Sequence, residues 1–392
     1  MPTDTTVKFL HSAMTGAPSL SGTAGALIAL LDACLINGFG SGTVDSVVIA
    51  SGVGTVTRSS GHPFDVGSVA YLSGATVTGG SINGEQKVLS VTSTTWTFDA
   101  TGISNQTASG TITAKLAPLG WAKTYSGTNL AAYKPSDITA TGNLLRVDDT
   151  GSGAANYARI RGYETMSDVN TGTGPFPTDA QVSGGLYWPK SNAADATTRS
   201  WILVGDGRIF YLMVAYSSNT STAFGFNHVF GDIASVKSPD PYACVLSGFS
   251  TTSFGTNGGN SGYDYDYGDA ANGASALYSP RSYAGLGASV LMRKGFPLIG
   301  GSTSNKSGNV GLPYPNGADG GLYFSPHYVM DNATVTYRGS SPGVYCIPQQ
   351  VTNAVFSNRD AISGITGYSG KTFRVVNSNS GCFAFDITGP WR

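Results

Sequence analysis

The run Ser60-Gly61-His62-Pro63-Phe64-Asp65-Val66-Gly67-Ser68-Val69-Ala70-Tyr71-Leu72-Ser73-Gly74-Ala75 reads as part of a small β-barrel, with Asn83-Gly84 and Thr95-Trp96-Thr97-Phe98 behind it. Around it, Val44–Ala50, Gly54–Arg58, Val69–Ser73, Gly84–Val91, Thr94–Phe98 and Thr111–Leu116 are short strand candidates separated by Gly, Ser and Asn. Strands this short, closed this often by turn residues, build barrels and sandwiches. Thr92-Ser93 predicts the tight turn that joins two of them.

The rest of the chain points the same way. Only Glu85 and Glu164 are glutamates among 392 residues, and charged residues make up 11%. Glu and Lys are the usual solvent-face residues of helices, whereas Asp favours turns and caps. Their scarcity predicts a mainly β, multi-domain sandwich or barrel protein. One amphipathic helix is expected over Ser19–Ile36, where Leu20, Ala24, Leu27, Leu31 and Leu35 recur at helical spacing. Ser19 or Ser21 is placed to cap it, and Gly38 follows its end.

Thr6–Leu10 alternates like an edge strand. Arg208–Ala215 is apolar after its first residue, which predicts a strand covered on both faces. Gly205-Asp206-Gly207 before it is a hairpin turn, and Phe224–Gly231 continues the sheet. Residues 1–44 plus 119–250 are expected to form one discontinuous scaffold domain, with the barrel of residues 45–118 inserted into it. A lone strand and helix before residue 44 cannot bury enough surface alone. Three consecutive domains are the alternative. Residues 251–276 read as a loop or linker, and residues 277–392 as a further β domain. Its expected strands are Ala288–Arg293, Gly321–Phe324, Val335–Tyr337, Val344–Ile347, Thr372–Val376 and Cys382–Asp386.

Charge and cysteine usage bound the partners. The net charge is −1 and there is no basic run, which argues against nucleic acid, since phosphate binding needs clustered Lys and Arg. No apolar stretch is long enough to span a membrane. Cys34, Cys244, Cys346 and Cys382 are scattered without a metal-ligand spacing, and Cys34 reads as a buried apolar residue. No cofactor is expected.

Candidate chemistry is sparse. Asp264, Asp266 and Asp269 alternate with Tyr263, Tyr265 and Tyr267, a spacing that suits a calcium loop or a solvated contact loop. The terminal Glu of a full calcium-loop pattern is missing. His11, His62, His228 and His327 lie far apart. Asp148 and Asp149 are adjacent, so on a strand they point to opposite faces and make no acid pair by themselves. Arg159 and Arg161 alternate around Ile160 and read either as carboxylate partners or as a solvated face. Trp391 and Arg392 close the chain; a terminal Trp is expected to anchor on a neighbouring domain or copy.

The segment around Gly61–Phe98 resembles the small barrel inserts called FCCH-like domains. Its matching residues are His62-Pro63, Val66-Gly67, Ser73-Gly74-Ala75, Asn83-Gly84 and Thr95-Trp96-Thr97-Phe98, with Trp96 in place of the family's first Phe. Residues Gly120–Tyr211 and the closing Phe383–Arg392, above all Thr388-Gly389-Pro390-Trp391-Arg392, resemble structural proteins of tailed-bacteriophage particles. The resemblance implies a virion component of the tail tip or baseplate. It would be assembled in the host cytoplasm into a symmetric homo-oligomer with other virion proteins, and is not expected to be an enzyme. A receptor- or glycan-binding tail fibre protein, a capsid-surface decoration protein and a tail-associated cell-wall hydrolase are the alternatives, and a host surface receptor is a further possible partner.

Overall fold

A computed structural model of the chain describes residues 3–215, 224, 226–252, 275–295, 313–349, 356–378 and 381–392. The protein is mainly β, with several sheets and a single short helical segment among the described residues. Residues 39–116 build two small sheets. In one, Thr113–Leu116 lies between Phe39–Thr43 and Val69–Ser73, and Gly84–Lys87 pairs with the latter. In the other, Ser46–Ala50, Val53–Thr57 and Thr95–Asp99 are flanked by Gln106–Thr107 and Ser90–Val91. Phe39–Thr43, counted above with the scaffold, thus pairs with strands of the barrel region.

Trp96 and Phe98 are fully buried between these sheets, and the Phe64 and Trp96 rings are 4.9 Å apart. Gly54 is opposite Phe98 in register, and a Cβ there would come within 2.2 Å of the Phe98 ring. The glycine is therefore the seat of that ring. Gly162 seats Phe176 in the same way in the larger sheet.

All other strands among the described residues belong to one branched nineteen-stranded sheet system. Lys8–His11 runs antiparallel to Trp201–Gly205, which pairs in turn with Ile209–Val214. Ile209–Val214 is buried at every position, as its apolar run predicts. The first strand does not alternate: all four residues of Lys8–His11 are buried. The barrel explains this, because Glu85 and Asp65 of the barrel bond to Lys8 and His11.

The helix is shorter than its sequence pattern. It runs over Ala26–Leu31 and continues as a π-helical turn over Asp32–Asn37. Leu20 instead makes a β-bridge to Arg199, and a Cβ on Gly22 would come within 1.8 Å of the Ala193 carbonyl oxygen. Gly25, at φ +81°, then turns the chain into the helix. Neither Ser19 nor Ser21 caps it. Asp149, 122 residues away, accepts from the Leu27 amide at 2.8 Å instead.

Near the C-terminus the strand expected at Gly321–Phe324 begins later, at Ser325–Asp331. Asp319 holds a turn there by accepting from the Gly321 amide at 2.8 Å and from Asn316 at 2.6 Å. Val335, at φ +56°, belongs to a turn, and the strand expected from it starts at Tyr337 and runs to Ile347. A second, small core forms around Ile347, Phe373, Val375, Cys382 and Ala384, with Phe324, Tyr345 and Tyr368 packed on it.

Candidate functional site

The most unusual polar arrangement lies where the first strand, the barrel and the C-terminal strands meet. His11 is 3% exposed and its Nε2 is 2.7 Å from Asp65 Oδ2. Its Nδ1 accepts from Arg359 Nη1 at 3.1 Å and from the Ala13 amide at 3.3 Å. A guanidinium only donates, so Nδ1 is unprotonated and Nε2 carries the hydrogen given to Asp65. Burial lowers the His11 pKa, and the nearby Arg359 and Arg374 push in the same direction against Asp65. The bond from His11 in turn lowers the pKa of Asp65. His11 is thus a neutral connector with both nitrogens engaged, and not a free base.

Arg374 extends the junction. Its Nη1 donates to the Arg359 carbonyl at 2.8 Å and its Nη2 to the Val66 carbonyl at 2.6 Å. Lys87 of the barrel donates to the Ile387 carbonyl, and burial lowers its ammonium pKa to about 8. Between these groups opens a cleft of about 680 Å³, lined by Lys87, Arg359 and Arg374 with Asp65 and Asp360. Val66 and Leu89, 47% and 44% exposed, give it an aliphatic rim. A smaller cleft of about 370 Å³ shares Arg359 and borders His11 and Trp201. The arrangement suits anion binding and the docking of one β region on another.

None of these residues was singled out as a site by the sequence. The sequence shows His11 only as one of four scattered histidines and Asp65 only as part of the barrel run. The His11–Asp65 pair spans 54 positions and the His11–Arg359 pair 348, so no local spacing carries the signal.

The barrel residues come together as a turn scaffold. His62 Nε2 lies 2.9 Å from the Thr92 carbonyl and 3.0 Å from that of Thr95, and its Nδ1 accepts from the Phe64 amide at 3.2 Å. Pro63 lies against Gly40. Asn83 brackets Ala75, accepting from its amide at 2.9 Å and donating to its carbonyl at 2.7 Å. Gly67 and Gly74 take positive φ at bends of the chain, and Gly84 does so as the first residue of its strand.

Trp391 and Arg392 are engaged within the chain. The Trp391 indole donates to the Asp386 carbonyl at 2.8 Å, and its ring meets Tyr211 at 6.0 Å. Arg392 pairs with Asp206 at 3.0 Å and also donates to the Asp232 carbonyl. Tyr263, Asp264, Tyr265, Asp266, Tyr267 and Asp269 lie outside the described residues.

The adjacent aspartates do separate. Asp148 binds the Thr150 hydroxyl at 2.6 Å, whereas Asp149 is wholly buried and ion-paired with Lys190. Arg159 lies 3.9 Å over the Tyr187 ring, and Arg161 pairs with Asp179 at 2.5 Å. His228 is buried and stacks on Trp188 at 4.8 Å, and burial lowers its pKa to about 3. The four cysteines are buried. No helix is long and apolar enough to cross a membrane among the described residues.

Comparison with protein-family models and with curated proteins returns no match for this chain.

Proposed function

We propose that this chain is a structural subunit of a tailed-phage particle, with a place in the tail tip or baseplate, and that it acts through assembly contacts and not through turnover. The resemblance of Gly120–Tyr211 and of the closing Phe383–Arg392 to structural proteins of tailed-phage particles supports the class. The observation that carries the assembly reading is an exposed apolar surface. Val236, Tyr283, Leu286 and Tyr337 are 61%, 51%, 71% and 44% exposed. Hydrogen bonds tie together the loops that bear them: Lys237 Nζ to the Tyr283 carbonyl, Ser282 Oγ to the Leu286 carbonyl, and the Val236 amide to the Arg338 carbonyl. Large apolar side chains clustered in water mark a contact surface.

Beneath this surface a buried arginine ties the chain together. Arg338, 2% exposed, holds Asp240 with both arms of its fork at 3.2 Å and also donates to the Tyr242 and Arg281 carbonyls. A weakly charged surface anchored in this way suits repeated packing in a symmetric array. Light scattering of the purified chain across a concentration series tests this. Self-association that Val236→Asp with Leu286→Asp abolishes is expected. A stable monomer that turns over a substrate would overturn the reading.

A further inference from the structure

The cleft between barrel and C-terminal strands holds three cations, Lys87, Arg359 and Arg374, and among the described residues none has a carboxylate within ion-pair distance. The more deeply buried Lys190 and Arg338 each hold one. Arg374 is fixed by two carbonyls and Lys87 by one, which leaves ammonium hydrogens of Lys87 without an acceptor among the described residues. Arg359 uses Nη1 on His11. Its backbone sits at φ +75°, a conformation that L-residues avoid, and its amide is anchored to the Val375 carbonyl at 2.7 Å. A strained residue that aims a cation into a cleft is a common mark of a binding position.

The anions in the same wall do not cancel these charges. Asp65 is bonded to His11, and Asp360 accepts from the Ser357 amide at 2.8 Å. With His11 neutral, the wall itself sets three cations against two carboxylates, while Asp4, Asp386 and Glu85 act on Lys87 from beside it. Val91 and Ala361, also in the wall, belong to the strands Ser90–Val91 and Ala361–Ser363. Each is paired on one side only among the described residues, so each presents an edge to which an extended segment adds.

We propose that this cleft receives the acidic segment of residues 263–269 from a second copy of the chain. That segment, Tyr-Asp-Tyr-Asp-Tyr-Gly-Asp, carries three carboxylates and no basic side chain. Carboxylates match guanidinium forks, and tyrosines match an aliphatic rim. The inference rests on the self-assembly reading above.

The test uses a fluorescent synthetic peptide of residues 261–270 and the full chain carrying Asp264→Asn, Asp266→Asn and Asp269→Asn, so that its own segment does not compete. Saturable binding that weakens as salt rises is expected. A peptide with Asn at the three Asp positions should bind at least about tenfold more weakly. Arg359→Gln or Lys87→Gln in the receptor should weaken binding with the circular dichroism spectrum unchanged. Equal binding of both peptides, or none, overturns the proposal, and this holds even where a receptor variant fails to fold. Oligomerisation of the native chain without peptide binding overturns the cleft assignment alone. Peptide binding by the variant, together with a native chain that stays monomeric at every concentration, overturns the second-copy assignment and the assembly reading together.

Discussion

His11 and Asp65 are 54 residues apart in the chain and 2.7 Å apart in space, and the bond between them joins the first strand to the barrel. His11 is buried while the Asp65 side chain is 44% exposed, so solvent screens the charge and the hydrogen bond carries most of the effect. Asp65→Ala should lower stability by about 1–2 kcal/mol in urea unfolding, because it leaves the buried Nε2 hydrogen without an acceptor. Asp65→Asn keeps an acceptor oxygen and should cost less. Equal losses for both variants would mean that charge, and not the hydrogen bond, holds the junction.

Lys190 and Asp149 form the most deeply buried ion pair among the described residues, at 1% and 0% side-chain exposure. Asp149 also caps the helix through Leu27, and Lys190 donates to the Thr23 carbonyl. Removing one partner strands the other charge in the interior. Lys190→Met should therefore cost roughly 3–5 kcal/mol. The double variant Lys190→Met with Asp149→Asn should cost less than the sum of the two single changes, measured by denaturant unfolding. Strict additivity would show that the two groups act independently.

Acid should destabilise the protein through its buried histidines. His228 has a folded pKa of about 3 against 6.5 for an ordinary histidine, and that of His11 is lowered too. Between those values the unfolded chain binds the proton and the folded chain does not. The stability contributed by neutral His228 is thus complete above about pH 6.5 and is lost as pH falls toward 3, at roughly 1 kcal/mol per pH unit. His228→Phe keeps a ring against Trp188 and removes the titration. Its stability should fall less steeply over that window, and a slope identical to the native chain would refute the assignment.

The barrel region leaves and rejoins the larger sheet at one place. A Cβ on Gly38 would come within 2.1 Å of the Leu116 carbonyl oxygen, and the Leu119 amide donates to the Cys34 carbonyl at 2.9 Å. Replacing residues 39–117 by a short Gly-Ser link should leave a folded remainder, read by amide dispersion in NMR spectra. It should be less stable than the whole chain, because Lys8, His11 and Arg374 lose their barrel partners. A remainder that cannot fold would show that the barrel is an integral part of the scaffold.

Local physics made the strands legible before any coordinates. The covered strand Ile209–Val214 follows from an apolar run, and the turn at Thr92-Ser93 is closed by the Thr92 amide donating to the Thr95 carbonyl. The helix starts later than its spacing predicts because Leu20 and Leu27 share a spacing but not an element: a bridge to Arg199 takes the first. The junction was illegible for the same reason. His11, Asp65, Arg359 and Arg374 come from three distant stretches, and only the packing of the barrel on the first and last strands brings them together.

Electron cryomicroscopy of phage particles, with this chain located by an antibody label, tests the central claim most directly. The account predicts label on the tail tip or baseplate in a regular, symmetric set of positions. Particles that are complete and infectious yet carry no copy of the chain would contradict it.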